Sequence, residues 1–408
     1  MTSRLKFIWH TNAGVLIFFE LLLLLTLFPA PVESIPLFAR RYKVSCTMCH
    51  VAFPKLNSFG EAFAGNGYQM PGEDLKEQTV DTGDDKLFLL SKLPLAIRAD
   101  LFAQTRKDTN TQTDLQGPSL VKLFSSAPLK RNVSYYFNFL FSERGSVAGI
   151  EDAFIVLNNG YRDIDLDLRF GQFPVTDILF SREQRLTFQN FTYYTTEVSD
   201  SGFKLTSDRA AEMSYTFDMS DDISMGIWVA MANGNGIATA DSDRNFDSDD
   251  LKNFYGKVAI ESDGQSIGFY GYSGRENNGS SVRNEFYRLG PIFNFHLSEK
   301  LNIWGNFLIG EDTNPKFSAS SPNEMNSWGG FMGATYPVTD DWMVSALYNR
   351  VQVLGRPTLD AHTLTANLSY YFKRNFKMMV EVTGDMKSTR TDHPTKTHTG
   401  ILGLVLAF

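Results

Sequence analysis

Asp163-Ile164-Asp165-Leu166-Asp167-Leu168-Arg169-Phe170-Gly171 alternates without a break. Ile164, Leu166, Leu168 and Phe170 fall on one face of an extended strand, and Asp165, Asp167 and Arg169 on the other. One face suits lipid and the other water. Lys377 to Lys387 repeats the pattern, with Met378, Val380 and Val382 opposing Lys377, Met379, Glu381, Thr383 and Asp385. Near the C-terminus, Leu402, Leu404, Leu406 and Phe408 share a face. A terminal aromatic on such a strand is familiar in proteins inserted into bacterial outer membranes.

From about Lys86 onward the chain is a succession of such segments, rich in Phe, Tyr, Val and Leu and separated by Gly, Asn, Asp and Ser. Sixteen strands are expected between 92 and 408, including 117–126 and a single long strand over 201–218. Short turns are expected at Asp221-Asp222, Asp263-Gly264, Ser298-Glu299-Lys300, Thr339-Asp340-Asp341 and Arg374-Asn375, with longer polar stretches between them. Outer-membrane barrels have short periplasmic turns and long outer loops, so this alternation predicts an all-β, antiparallel transmembrane barrel. A soluble sandwich or propeller is the competing reading, and it would show shorter strands and less regular loop asymmetry. The aromatic stretch Phe188–Tyr194 is expected to fold into the mouth as a constriction.

The formal charge of −8 describes a mildly acidic surface, and no basic patch interrupts it, which argues against a nucleic-acid partner. Mean hydropathy is −0.20, and no segment after the N-terminus is long and apolar enough for a helical span. A β-barrel escapes that exclusion because its strands average out polar.

The N-terminus reads as an address. Arg4, Lys6 and His10 precede an apolar run from Val15 to Phe28, too short for a comfortable span of ~20 residues. Residues 1–34 are therefore expected to be a signal peptide cleaved after Ser34, with an uncleaved anchor as the alternative.

The only two cysteines stand in Cys46-Thr47-Met48-Cys49-His50. Two thiols at this spacing can add across the two vinyl groups of one porphyrin, and the next residue offers an imidazole to the iron, so one covalent haem c is expected. A dithiol switch or a zinc site leaves His50 unexplained, and zinc would need two more ligands. Residues 35–85 are read as a small helical unit built on this motif, and 86–408 as the barrel. Phe53, Leu56, Phe59, Gly60 and Phe63 recur at helical spacing, with Pro54 placed in the first turn and Gly65-Asn66-Gly67 ending the helix. Fifty residues bury little by themselves, so the haem would be part of the unit's core.

The iron's second axial position has several candidates. Met70, twenty residues beyond His50, could fold back and supply a thioether. His296, turned toward the lumen, is its rival, and a water-ligated or open site is a third possibility. Asp241, Asp243, Asp247, Asp249 and Asp250 crowd one loop, where carboxylates could collect Fe(II), although their spacing matches no calcium loop.

Phe38-Ala39-Arg40, the Cys46–His50 run, Pro54-Lys55-Leu56-Asn57, Phe59-Gly60 and Asn66-Gly67-Tyr68, followed by a barrel of this size, resemble the fused monohaem cytochrome–porin family of bacterial outer membranes. The specific match runs from about Phe38 to Gly72, and the remainder agrees only in architecture. The resemblance implies a small cytochrome lodged in or at the mouth of a barrel of sixteen strands, passing electrons across the outer membrane. In the best-known members the donor is extracellular Fe(II), and a periplasmic carrier would receive the electron. Carried to this chain, it supports Cys46 and Cys49 as attachment sites and His50 as a ligand, and leaves Met70 open. Two functions follow: an electron conduit with Fe(II)-oxidase-like activity, or a substrate-specific porin whose haem unit is a structural or redox-sensitive plug. No acid, base or nucleophile constellation accompanies the motif.

Overall fold

The computed structural model describes residues 37–70, 79–84, 86–92, 94–159, 164–177, 180–247, 251–277, 281–298, 300–386 and 396–408. The expected signal peptide lies outside them, as do Asp249, Asp250 and the segment immediately after Met70.

The N-terminal part holds helix α1 (Leu37–Tyr42), a 3-10 turn over Cys46–Met48, strands β1 (His50–Ala52) and β2 (Lys55–Leu56), and helix α2 (Ser58–Gly65). The barrel follows as β3 (Leu95–Lys107), β4 (Thr111–Lys130), β5 (Val133–Glu143), β6 (Gly149–Leu157), β7 (Leu166–Pro174), β8 (Ser207–Ser220), β9 (Ile223–Ala232) and β10 (Asn253–Ser262). It continues with β11 (Gln265–Asn277), β12 (Arg283–His296), β13 (Asn302–Asp312), β14 (Met325–Pro337), β15 (Trp342–Val353), β16 (Ala361–Lys373), β17 (Phe376–Asp385) and β18 (His398–Ala407). Among the described residues these sixteen strands form one closed antiparallel sheet in which β18 returns to β3. The seam is stitched by Ile97 N donating to Phe408 O at 2.6 Å and Phe408 N to Ile97 O at 2.8 Å.

Alternation orients most wall strands. Phe170 is 72 % exposed and Phe269 55 % exposed on the outside, while Leu308 and Val351 are fully buried inside. An outward apolar band around a closed sheet is the signature of a barrel that spans a membrane, because closure leaves no unpaired edge in lipid.

Three expectations change. The second barrel strand starts at Thr111, six residues before the expected 117, because Thr111–Gln116 is polar but for the exposed Leu115 and carries no alternation. Pro54 is not in a helix. It turns the β1–β2 ribbon instead, and α2 begins at Ser58, where the Asn57 side chain accepts from Gly60 N at 2.9 Å and caps the first turn. The single strand expected over 201–218 begins only at Ser207, as β8, because Ser201, Phe203 and Leu205 are buried in the lumen as part of the internal loop. The five expected short turns all join successive strands.

The interior is partly filled. Residues 175–177 and 180–206, between β7 and β8, run into the lumen rather than out over the rim. Phe180, Phe191, Tyr193, Tyr194, Phe203 and Leu205 are buried there against Trp304, Phe331, Tyr272 and Phe286 of the wall. Phe191 stacks on Phe331 with centroids 4.1 Å apart. The constriction expected at Phe188–Tyr194 is thus present, held by Thr192 N donating to Asn349 Oδ1 at 3.0 Å and by Phe188 N and Gln189 N donating to Glu381 at 2.8 and 2.9 Å.

Candidate functional site

The N-terminal segment occupies the lumen at the rim of short turns. Tyr371 of the wall donates from its hydroxyl to Phe53 O at 2.8 Å, and Leu56 N donates to Gln184 Oε1 of the internal loop at 2.8 Å. Asn158 Nδ2 donates to Asn66 O at 2.6 Å. Lys55, 4 % exposed, places its ammonium 4.6 Å from the centroid of the Trp304 ring, a cation–π contact in a desolvated setting. Phe38, Phe63 and Tyr68 pack edge and face on one another, and Tyr68 stacks on Tyr136 of the wall at 5.1 Å. The helical stripe expected to cover a porphyrin therefore packs substantially on aromatic neighbours.

The Cys46–His50 run is shaped by local hydrogen bonds. Ser45 caps the 3-10 turn, Cys49 N donates to Cys46 O at 3.2 Å, and Asn57 N donates to Cys49 O at 2.9 Å. Asn57 Nδ2 reaches Met48 O at 3.1 Å and Thr47 O at 3.3 Å, so one side chain ties the turn to the start of α2. Gly60 must be glycine in this packing, because a Cβ there would lie 2.1 Å from Cys49 O.

Cys46 and Cys49 are both free thiols and half-buried. Burial pushes both thiols up and the His50 imidazole down, so all three are neutral near pH 7. His50 Nδ1 lies 3.0 Å from Pro54 O. A carbonyl can only accept, so Nδ1 carries the proton and Nε2 keeps the lone pair that an iron ligand needs. Free thiols at this spacing, beside an imidazole held in that tautomer, fit a covalently attached haem.

The second-ligand candidates lie elsewhere. Met70 lines a cavity of about 1290 Å³ between α2 and the walls of β7 to β11, which none of Cys46, Cys49 and His50 lines. His296 stands at the short-turn end of β12, close to the Asp263-Gly264 turn and Ser58. Glu61, Asp177, Glu212 and Glu261 face the same cavity, opposed by Arg169 and Lys257. Lys257 pairs with Asp177 at 2.7 Å. Among the described residues no three His, Cys, Asp or Glu side chains gather as a metal would require, the loop around Asp241 included.

An ion network ties the internal loop to the wall. Lys122, 1 % exposed, lies between Glu151 at 2.7 Å and Glu183, and Arg182 bridges Glu143 and Glu151. Arg98 holds Asp100 through two bonds of 2.8 Å. Sequence alone could mark Lys122 as facing inward, but not its partners.

No family model and no curated protein matches the sequence. Solved structures do. The anion-selective porin of Comamonas acidovorans superposes with a TM-score of 0.55 at 12% identity, covering 78% of this chain and 99% of that one. Pseudomonas putida OprB superposes with a TM-score of 0.51 at 10% identity, covering 82% of this chain and 95% of that one. At such identity the likeness speaks for architecture, and the architecture is the closed barrel of sixteen strands found in outer-membrane porins.

Proposed function

We propose that this chain is an outer-membrane barrel of porin type, exported by residues 1–34, whose lumen is stoppered by a small haem-bearing cytochrome unit within residues 35–85. The observation that supports the reading is the contact of Phe53, three residues beyond the Cys46–His50 run, with Tyr371 of a closed porin-like barrel. Cys46 and Cys49 would hold the haem by thioether bonds, and His50 Nε2 would ligate the iron. The group would supply a one-electron couple. The protein's own part is to fix the His50 tautomer through Pro54 O, to clamp the turn through Asn57 and to seal the surroundings with aromatic side chains.

The porin likeness favours a channel for a specific solute, with the cytochrome unit as a structural or redox-sensitive plug. A second reading is favoured by the paired thiols and the oriented imidazole: an electron carrier that takes electrons from an extracellular donor such as Fe(II) and delivers them to a periplasmic carrier. In that reading the packed interior matters as insulation, since the donor is oxidised without its ions entering.

One experiment separates the two. Cells carrying the wild type and Cys46→Ala are compared for solute flux and for oxidation of external Fe(II) with haem reduction, after barrel assembly is checked. Flux that persists or rises when haem is lost supports the channel. Fe(II) oxidation abolished in an assembled Cys46→Ala barrel supports the carrier. Wild-type protein without a haem-stained band after denaturing electrophoresis would overturn both. Met70 as second ligand is tested by the near-infrared thioether band, which Met70→Ala must remove.

A further inference from the structure

A second cavity, of about 540 Å³, lies between the internal loop and the wall formed by β3, β4, β17 and β18. Its carboxylates are already engaged. Asp100 is held by Arg98, Glu143 by Arg182, and Glu151 and Glu183 by Lys122, while Asp152 accepts the Ser207 hydroxyl at 3.0 Å. Two cations on the same cavity are left with neutral acceptors only. Arg185 Nε donates to Thr187 O at 3.2 Å and its Nη1 to Asn190 Oδ1. Lys377, 2 % exposed, reaches only Leu186 O at 3.4 Å. Neither has a carboxylate within ion-pair distance among the described residues. The nearby Glu381 spends its oxygens on Phe188 N, Gln189 N and Asn367 Nδ2.

Burial and the neighbouring Arg182 depress Arg185 to about 10, against the opposing pull of Glu381 and Glu183, neither of which pairs with it directly. A buried cation without a directly paired carboxylate is costly, and the cavity has room for an anion that would pair with both. We propose that this cavity binds a small oxyanion of the phosphate or carboxylate class, gripped by the free guanidinium donors of Arg185 and the ammonium of Lys377. The planar fork of Arg185 suits two oxygens of such a group, and Lys377 adds a point charge. The site depends on the loop lying in the lumen and not on the haem.

The test is calorimetric titration of the purified full chain in detergent with inorganic phosphate at constant ionic strength. Wild type should show saturable binding at one site. Arg185→Gln and Lys377→Met should each weaken it by roughly tenfold or more, the size of one lost charge-assisted contact. Arg283→Gln, on an exposed side chain at the opposite rim, should leave it unchanged. Absence of saturable binding in the wild type, or wild-type affinity in Arg185→Gln, would overturn the proposal. If Lys377→Met fails to assemble, protection of Arg185 by phosphate against a guanidine-directed reagent decides the matter in the unaltered protein.

Discussion

Two glycines of α2 should respond in opposite directions to the same substitution. An added Cβ at Gly60 would stand 2.1 Å from Cys49 O and 2.9 Å from Leu56 Cδ2, whereas one at Gly65 would meet nothing within 4 Å. Carbon atoms of this kind do not approach closer than 3.0 Å, so in Gly60→Ala the helix and the Cys49 carbonyl must part by roughly 0.9 Å. The contact is with backbone, and no side chain can swing aside to relieve it. Overpacking of this kind costs ~1–3 kcal/mol. Gly65→Ala instead gains up to ~1 kcal/mol from reduced chain entropy. Hydrogen exchange over residues 46–66 measures both. Opening in Gly60→Ala should be about 5- to 150-fold more frequent than in wild type, and in Gly65→Ala the same or rarer. Under the proposed haem reading, attachment should fall in the first and persist in the second. Equal exchange in the two variants would refute the placement of α2 against the cysteine turn.

Asn57→Ala removes the cap on Gly60 N and both ties to the turn, and should destabilise the segment by ~0.5–2 kcal/mol in the same exchange experiment. Lys122→Met removes the ammonium shared by Glu151 and Glu183, leaving them Arg182 at 3.2 Å and Arg98 at 3.8 Å, and should lower barrel stability by ~1.5–3 kcal/mol, read from denaturant midpoints in detergent. Adding Glu183→Gln should recover part of that loss, and no recovery would mean the pair does not share one network. Burial, reinforced by Asp177 and Glu261 and opposed by Lys55, raises Glu61 to about 8. A carboxyl raised above its unfolded value binds its proton more tightly in the folded state, so seating of α2 is strongest below about 4.5 and weakens as pH rises toward 8. Glu61→Gln should flatten that dependence, and protease access to the segment across this range is the measurement.

The wall was legible because a half-lipid, half-interior strand imposes a period of two on its residues, as Leu166–Pro174 shows. The pattern faded where strands outrun the membrane. Thr111–Gln116 is solvated on both sides, so nothing in its composition separates strand from loop. The cysteine motif was legible because its chemistry is local, and so was the inward turn of Phe188–Tyr194, an aromatic run too apolar for an outer loop. The start of α2 was misplaced because apolar spacing continues through the β1–β2 ribbon, and only the Asn57 cap distinguishes them. The oxyanion cavity was invisible, since Arg185 and Lys377 are 192 positions apart in the numbering and meet only once the loop enters the barrel.

The packed lumen changes what a wall strand must encode. On β13, Trp304, Asn306 and Leu308 point inward while Phe307 and Ile309 face out, so Ile303 to Ile309 is apolar on both faces except at Asn306. A slip of one residue there would exchange one largely oily face for another, and the penalty from solvent preference would fall on Asn306 alone, torn from the Tyr194 hydroxyl and turned into lipid. Register is set as well by notches: Gly305 admits the Phe331 carbonyl and Gly310 admits Arg288, where any side chain would collide. Along this strand the smallest residues share with one buried amide the task of stopping the slide.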